Sequence, residues 1–170
     1  MTDFETLVRR VEAIQDLCQL KARYFRCIDT KDWDGLAELF TPEATFHRRG
    51  ITTAGRDGIV SSIRANLHDA RSVHQGSMPD ITVDGTTAQG TWALFDVIEW
   101  PDGTGFRGYG QYEDVYQKAD VWRISASRVA RLRLEPMPSG LPSRLVSPKL
   151  GQADFVDVPA SDLGEELWAR

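Results

Sequence analysis

The stretch "VHQGSMPDITVDGTTAQGTWALFD", residues 73–96, decides the fold. Ala88, Gly90, Trp92 and Leu94 recur at a period of two, the spacing of one face of a β-strand. An Asp-Gly pair at 84–85 separates this run from the one before it, a hairpin signal. The pattern continues downstream: "PDGTG" supplies a second tight turn and "KADVW" a third. The spacing predicts four strands, at 72–84, 87–100, 105–118 and 122–134. Strands joined this tightly run antiparallel.

Upstream the period lengthens. Leu7, Val11, Ile14, Leu17, Cys18, Phe25 and Ile28 mark the apolar face of one long helix over residues 4–29. Asp32 can cap a short second helix running through Phe40. "EATFHRR" reads as a short strand, and "GRDGIVSSIRANLH" returns to helical spacing with Ile59, Ile63 and Leu67 on one face. Helices first and a meander after them predict an α+β domain over residues 1–135. The remainder, 136–170, carries five of the eight prolines. It reads either as a loose tail or as an arm that packs on another subunit or closes a pocket.

The bulk numbers remove several functions. With 170 residues, 41% of them hydrophobic and 26% charged, the composition suits one soluble domain. A net charge of −5 gives little support to nucleic-acid binding. No apolar run approaches the ~20 residues of a membrane span, and the N-terminus lacks a secretory pattern. Cys18 and Cys27 lie about 13 Å apart along one helix, too far for a disulfide. Reduced thiols predict a cytoplasmic protein. His47, His68 and His74 show no zinc-ligand spacing, so no metal is expected.

Function is suggested by polar residues on faces that should be apolar. Asp29 falls about 40° from Phe25 on the first helix, at ~100° per residue. Asp96 sits in the middle of the core-facing set of its strand. A buried carboxylate must be paired, hydrogen-bonded or protonated, and such placements cluster at functional sites. If His74 faces inward, it could meet Asp29 and form a general base held in one tautomer. Each residue also has a plainer reading. Asp29 could end its helix or cap the next turn, His74 could be an ordinary bonded histidine, and Asp96 could serve an arginine. Tyr24 could be a packed aromatic. Gly108 and Gly110 in one strand suggest close approach of a ligand or a crossing helix. Strict alternation points Arg128 inward and Arg131 outward; one bulge would reverse this. "GTGFRG", 103–108, matches a dinucleotide pattern, but no helix follows it to hold a phosphate.

The order "YFRCIDTKDWDGLAELFTPEATF", "GRDGI", "VHQGSMPDITVDGTTAQGTWALFD", "GYGQYEDVYQKADVWRI" resembles the SnoaL-like branch of the nuclear transport factor 2-like superfamily. The resemblance covers about residues 8–135. It implies a cone: a curved antiparallel sheet wrapped around the N-terminal helices, an α+β barrel with a concave pocket. "RYFRCID" is similar to the helix ending of the bile acid 7α-dehydratases. That resemblance implies catalytic roles for Tyr24, Asp29, His74, Asp96 and Arg131, hence a bulge between Trp122 and Arg131. Scytalone dehydratases and hexachlorocyclohexane dehydrochlorinases resemble the chain in the Asp29–His74 pair. A departure stands at Ser77, where the bile acid enzymes carry a second histidine.

The expected activity is therefore a cofactor-independent dehydration by His/Asp acid–base chemistry. The substrate would be an apolar hydroxylated ring such as a steroid or polyketide. Phe25, Met78, Trp92, Leu94, Phe106 and Tyr112 are the expected pocket walls. Ketosteroid-type isomerisation, polyketide cyclisation and a non-catalytic binding or assembly module are the alternatives. No nucleic-acid, membrane or cofactor partner is expected. A homo-oligomer is, with a trimer preferred to a dimer on the resemblance.

Overall fold

The computed structural model describes residues 3–137. Helix α1 (Asp3–Thr30) is followed by α2 (Trp33–Glu38), β1 (Phe40–Arg48), β2 (Ile51–Ala54) and α3 (Arg56–Leu67). Four long strands follow: β3 (Arg71–Asp84), β4 (Thr87–Glu99), β5 (Gly105–Lys118) and β6 (Trp122–Met137). The six strands form one curved sheet in the order β2-β1-β6-β5-β4-β3. The α+β class and the three hairpins are as the sequence period demands. Among the described residues the sheet does not close and β2 and β3 stand at its edges, so the expected barrel is an open one. Nor is it wholly antiparallel, because β1 runs parallel to β6. The proposed arm at 136–170 lies almost wholly outside the described residues.

Alternation fixes the inward face. Ala88, Gly90, Trp92, Leu94, Asp96 and Ile98 of β4 are all buried, and their odd-numbered neighbours are not. α1 lies against β3 and is buried from Ala13 onward, through Leu17, Leu20, Lys21, Tyr24, Phe25, Cys27 and Ile28. Its first turns differ from expectation. Leu7 and Val11 continue the apolar stripe, yet both are exposed, because among the described residues nothing covers the helix there. α2 stops at Glu38, and Phe40 instead begins β1 as a fully buried residue. Both cysteines are free thiols.

Two irregularities aim the side chains that matter. Register shifts between Ser77 and Asp80 on β3, where Met78 takes a positive φ of 47°. On β6 a bulge at Ser125 separates the pairs Tyr116↔Ile124 and Val115↔Ala126. Trp122 and Ile124 face inward before it, Ser127 after it. The inward parity thus passes from even to odd numbers, which sends Arg131 in and Arg128 out. Arg128 reaches outward to Glu113 at 3.1 Å.

Candidate active site

Asp29 lies in the last turn of α1, and its carboxylate reaches across to β3. Oδ1 accepts from His74 Nδ1 at 2.6 Å and from Ser72 Oγ at 2.8 Å. Oδ2 accepts from the His74 backbone N–H at 2.8 Å. Lys31 Nζ donates to Ser72 Oγ at 3.2 Å and completes the chain of bonds. Three hydrogen bonds from two residues of β3 fix the carboxylate. Asp29 is no cap; Asp32 does that work, its Oδ1 accepting from Gly35 N at 2.9 Å. Because an ionised carboxylate only accepts, Nδ1 carries the proton, and Nε2 is left as the acceptor of the imidazole.

The sheet register assembles the next layer. His74 is paired with Asp96 across β3 and β4, and Asp96 with Gly108 across β4 and β5. Asp96 is fully buried and forms an ion pair with Arg131 from β6. Gly108 explains the pair. A Cβ there would overlap Asp96 Oδ1 and would lie 2.9 Å from Arg131 Nε. The glycine admits this ion pair, not a ligand or a helix. Gly110 admits the backbone of Ala130 at a second β6 bulge. Asp96 Oδ1 and Arg131 Nε are buried and have no hydrogen-bond partner among the described residues.

Around these groups lies a cavity. Its walls are Tyr24 and Ile28 of α1, Phe46 and Arg48 of β1, Ile63 and Leu67 of α3, His74, Tyr112, and Val129 and Arg131 of β6. It is narrow, about 20 Å³, room for roughly one water molecule. Burial is the main reason the Tyr24 and Tyr112 hydroxyls titrate well above their ordinary range, so both remain hydrogen-bond donors.

The five expected catalytic residues are thus drawn together: Tyr24, His74 and Arg131 line the cavity, with Asp29 and Asp96 bonded directly behind them. The expected walls fare differently. Tyr112 lines the cavity. Phe25 and Trp92 instead border a shallow depression of about 440 Å³, which meets the cavity only at His74. Leu94 is buried in the sheet core, and Phe106 sits beneath the Arg131 guanidinium at 5.3 Å. Met78 is in solvent, 80% exposed, turned away by the break in β3. The cavity is also less open and more polar than a flat apolar ring requires. Larger surface grooves, one of about 840 Å³ beside α1 and Trp122, contain none of the five.

A second polar cluster was not foreseen. Lys21 Nζ, fully buried, bonds Asp114 Oδ2 at 2.7 Å. Tyr116 Oη and Ser127 Oγ donate to the same carboxylate at 2.8 and 2.7 Å, and Trp92 Nε1 donates to Tyr116 at 2.9 Å. Burial pulls the Lys21 ammonium down, opposed by Asp114. The signal was present: Lys21 lies four residues from both Leu17 and Phe25, and Asp114 shares parity with Tyr112 and Tyr116. Among the described residues no cluster has the makings of a metal site, and no helix is long and apolar enough to cross a membrane.

The chain matches the SnoaL-like domain over residues 9–128. It belongs to the SnoaL-like family. A solved structure of a Mycobacterium tuberculosis protein of unknown function shares 30% identity, covering 71% of this chain and 76% of that one, with a TM-score of 0.64. Hexachlorocyclohexane dehydrochlorinase type 3 from Novosphingobium barchaimii shares 21%, covering 82% and 97%, with a TM-score of 0.67. A candidate scytalone dehydratase from Novosphingobium aromaticivorans shares 18%, covering 85% and 99%, at 0.69. At such identities the last two establish likeness of fold.

Proposed function

We propose that this SnoaL-like protein is a cofactor-independent lyase that eliminates water from a hydroxylated ring substrate. The observation that carries the reading is the 2.6 Å bond from His74 Nδ1 to an Asp29 carboxylate held by two further donors. Nε2 of His74 takes a proton from a carbon adjacent to a carbonyl. The C–H electrons form the new double bond, the C–O bond to the hydroxyl breaks, and the imidazolium returns its proton to the departing oxygen, which leaves as water. Asp29 stabilises the imidazolium formed in between. Tyr24, kept protonated by burial, donates to the developing oxyanion or to the departing oxygen. Asp96 holds Arg131 at the cavity wall, where it positions the substrate. The fold shared with a dehydrochlorinase and a candidate dehydratase supports an elimination.

One observation favours a second reading. A cavity of about 20 Å³ is nearly filled by side chains, as a non-catalytic binding or assembly module would have it. Turnover separates the two. The wild type should convert a member of a panel of hydroxylated ketosteroids and cyclic β-hydroxy ketones to its conjugated enone, read by ultraviolet absorbance. Asp29→Asn should then lower kcat about 10²–10⁴-fold while circular dichroism stays unchanged. No enone from any substrate, or a variant whose main defect is unfolding, favours the second reading.

A further inference from the structure

Of the ten residues around the cavity, seven are buried; Arg48, Val129 and Arg131 are the half-buried ones. These three come from neighbouring strands. Arg48 is paired with Val129 across β1 and β6, and Arg131 follows two residues later. The less buried side of the cavity is therefore lined by two arginines, Arg48 and Arg131, and by Val129. The two guanidiniums differ in one respect. Arg131 is ion-paired with Asp96, whereas Arg48 has no carboxylate partner among the described residues.

The sequence holds Arg48 in that position. Ala44 and Phe46 are buried at its parity on β1, so alternation points its side chain inward. The strand ends there because Arg49 and Gly50 take φ values of 53° and 78°, a tight turn that pairs Arg48 with Ile51. Burial depresses the affinity of the Arg48 cation for its proton, and Arg49 and Arg131 add repulsion. Of the groups around it, the Tyr24 and Tyr112 hydroxyls favour its charge. An anion seated between β1 and β6 would offset the burial and the repulsion.

We propose that Arg48 is a specificity-determining residue that binds an anionic group of the substrate, so the site takes a ring compound bearing a carboxylate or an equivalent acidic oxygen. The assignment deepens the lyase reading and rests on the same cavity as the ligand site. Arg131, neutralised by Asp96, orients; Arg48, unneutralised, selects for charge. A planar guanidinium matches a carboxylate with two parallel hydrogen bonds.

The test uses 2-naphthoate and its neutral carboxamide as probes, with affinities from isothermal titration calorimetry on the full chain. Wild type should bind the carboxylate roughly tenfold to a hundredfold more tightly than the amide. Arg48→Gln should bring the two within about threefold, and Arg48→Lys should restore part of the preference. Asp29→Asn should keep the full preference, because the dyad is not the anchor. A preference that survives Arg48→Gln, or is absent in wild type, overturns the assignment and leaves the dyad chemistry untouched. Binding of neither probe overturns the assignment as well. Loss of the lyase reading through the turnover assay, with the charge preference intact, would leave Arg48 as the anion site of a binding protein.

Discussion

The Lys21–Asp114 network and the Asp29–His74 cluster lie on the same inward face of one sheet, yet they use their hydrogen-bonding capacity differently. In the network both Asp114 oxygens are engaged and Tyr116 is both donor and acceptor. Lys21 also sits 3.8 Å from the centroid of the Tyr112 ring. The other cluster leaves groups over. Among the described residues Asp96 Oδ1 and Arg131 Nε have no hydrogen-bond partner, and Arg48 has no carboxylate partner. Buried polar groups are normally satisfied. A cluster that is satisfied holds the fold together; one with capacity left over beside a cavity is available to a ligand.

That contrast is open to test by breaking each side in turn. The largest effects separate two variants of similar severity. Asp29→Asn, which by the elimination chemistry costs several powers of ten in turnover, should shift the unfolding free energy by only about 1–2 kcal/mol. Lys21→Met should do the reverse. It strands Asp114 without a counter-ion and should cost about 3–5 kcal/mol in urea denaturation, with turnover per folded molecule nearly unchanged. Adding Asp114→Asn to Lys21→Met should recover part of that loss, because the uncompensated charge is removed. Were Lys21→Met to abolish turnover in a protein of normal stability, the network would belong to the site.

Gly108→Ala tests the seam between the regions. The added methyl would occupy the space in which Asp96 and Arg131 meet. Neither group can withdraw without leaving a buried charge, so a loss of about 1–3 kcal/mol is expected. Turnover should fall with it if Arg131 positions the substrate. An alanine tolerated at no cost in either measurement would mean that the ion pair is not closely held.

Much of this contrast was legible in the sequence, unevenly. Strand order from 72 onward followed from the period and the Asp-Gly turns, and Asp29 and Asp96 followed from polar residues in apolar register, whereas the break in alternation at Pro79 left the facing of His74 open. The same rule, applied to Lys21 on α1 and Asp114 on β5, would have found the network too. What local periodicity cannot carry is contact between distant elements. The parallel pairing of β1 with β6 brings Phe46 and Arg48 to the cavity, and α3 brings Ile63 and Leu67. Neither docking leaves a trace in spacing, so of the six walls expected from sequence only Tyr112 lines the cavity. Strict alternation favours Arg128; Arg131 follows from the family resemblance, and the bulge that it requires lies at Ser125.

The smallest expected effect probes the comparison over three residues. Asp29 and Asp32 both stand where α1 gives way to α2, and either could be read from sequence as the cap of the second helix. The structure divides the roles: Asp32 accepts from the Gly35 N–H, and Asp29 binds β3. Asp32→Ala should therefore lower stability by about 0.5–2 kcal/mol and leave turnover within about twofold, because ~0.4 kcal/mol is all that twofold represents. Gly35 constrains the choice of replacement. A side chain at 35 would collide with the Asp32 carboxylate, so the cap is best removed at Asp32 itself. A loss of turnover from Asp32→Ala comparable to that from Asp29→Asn would mean that the α1–α2 junction moves as a unit. The dyad geometry would then depend on the cap, and the line between fold and site would have to be drawn elsewhere.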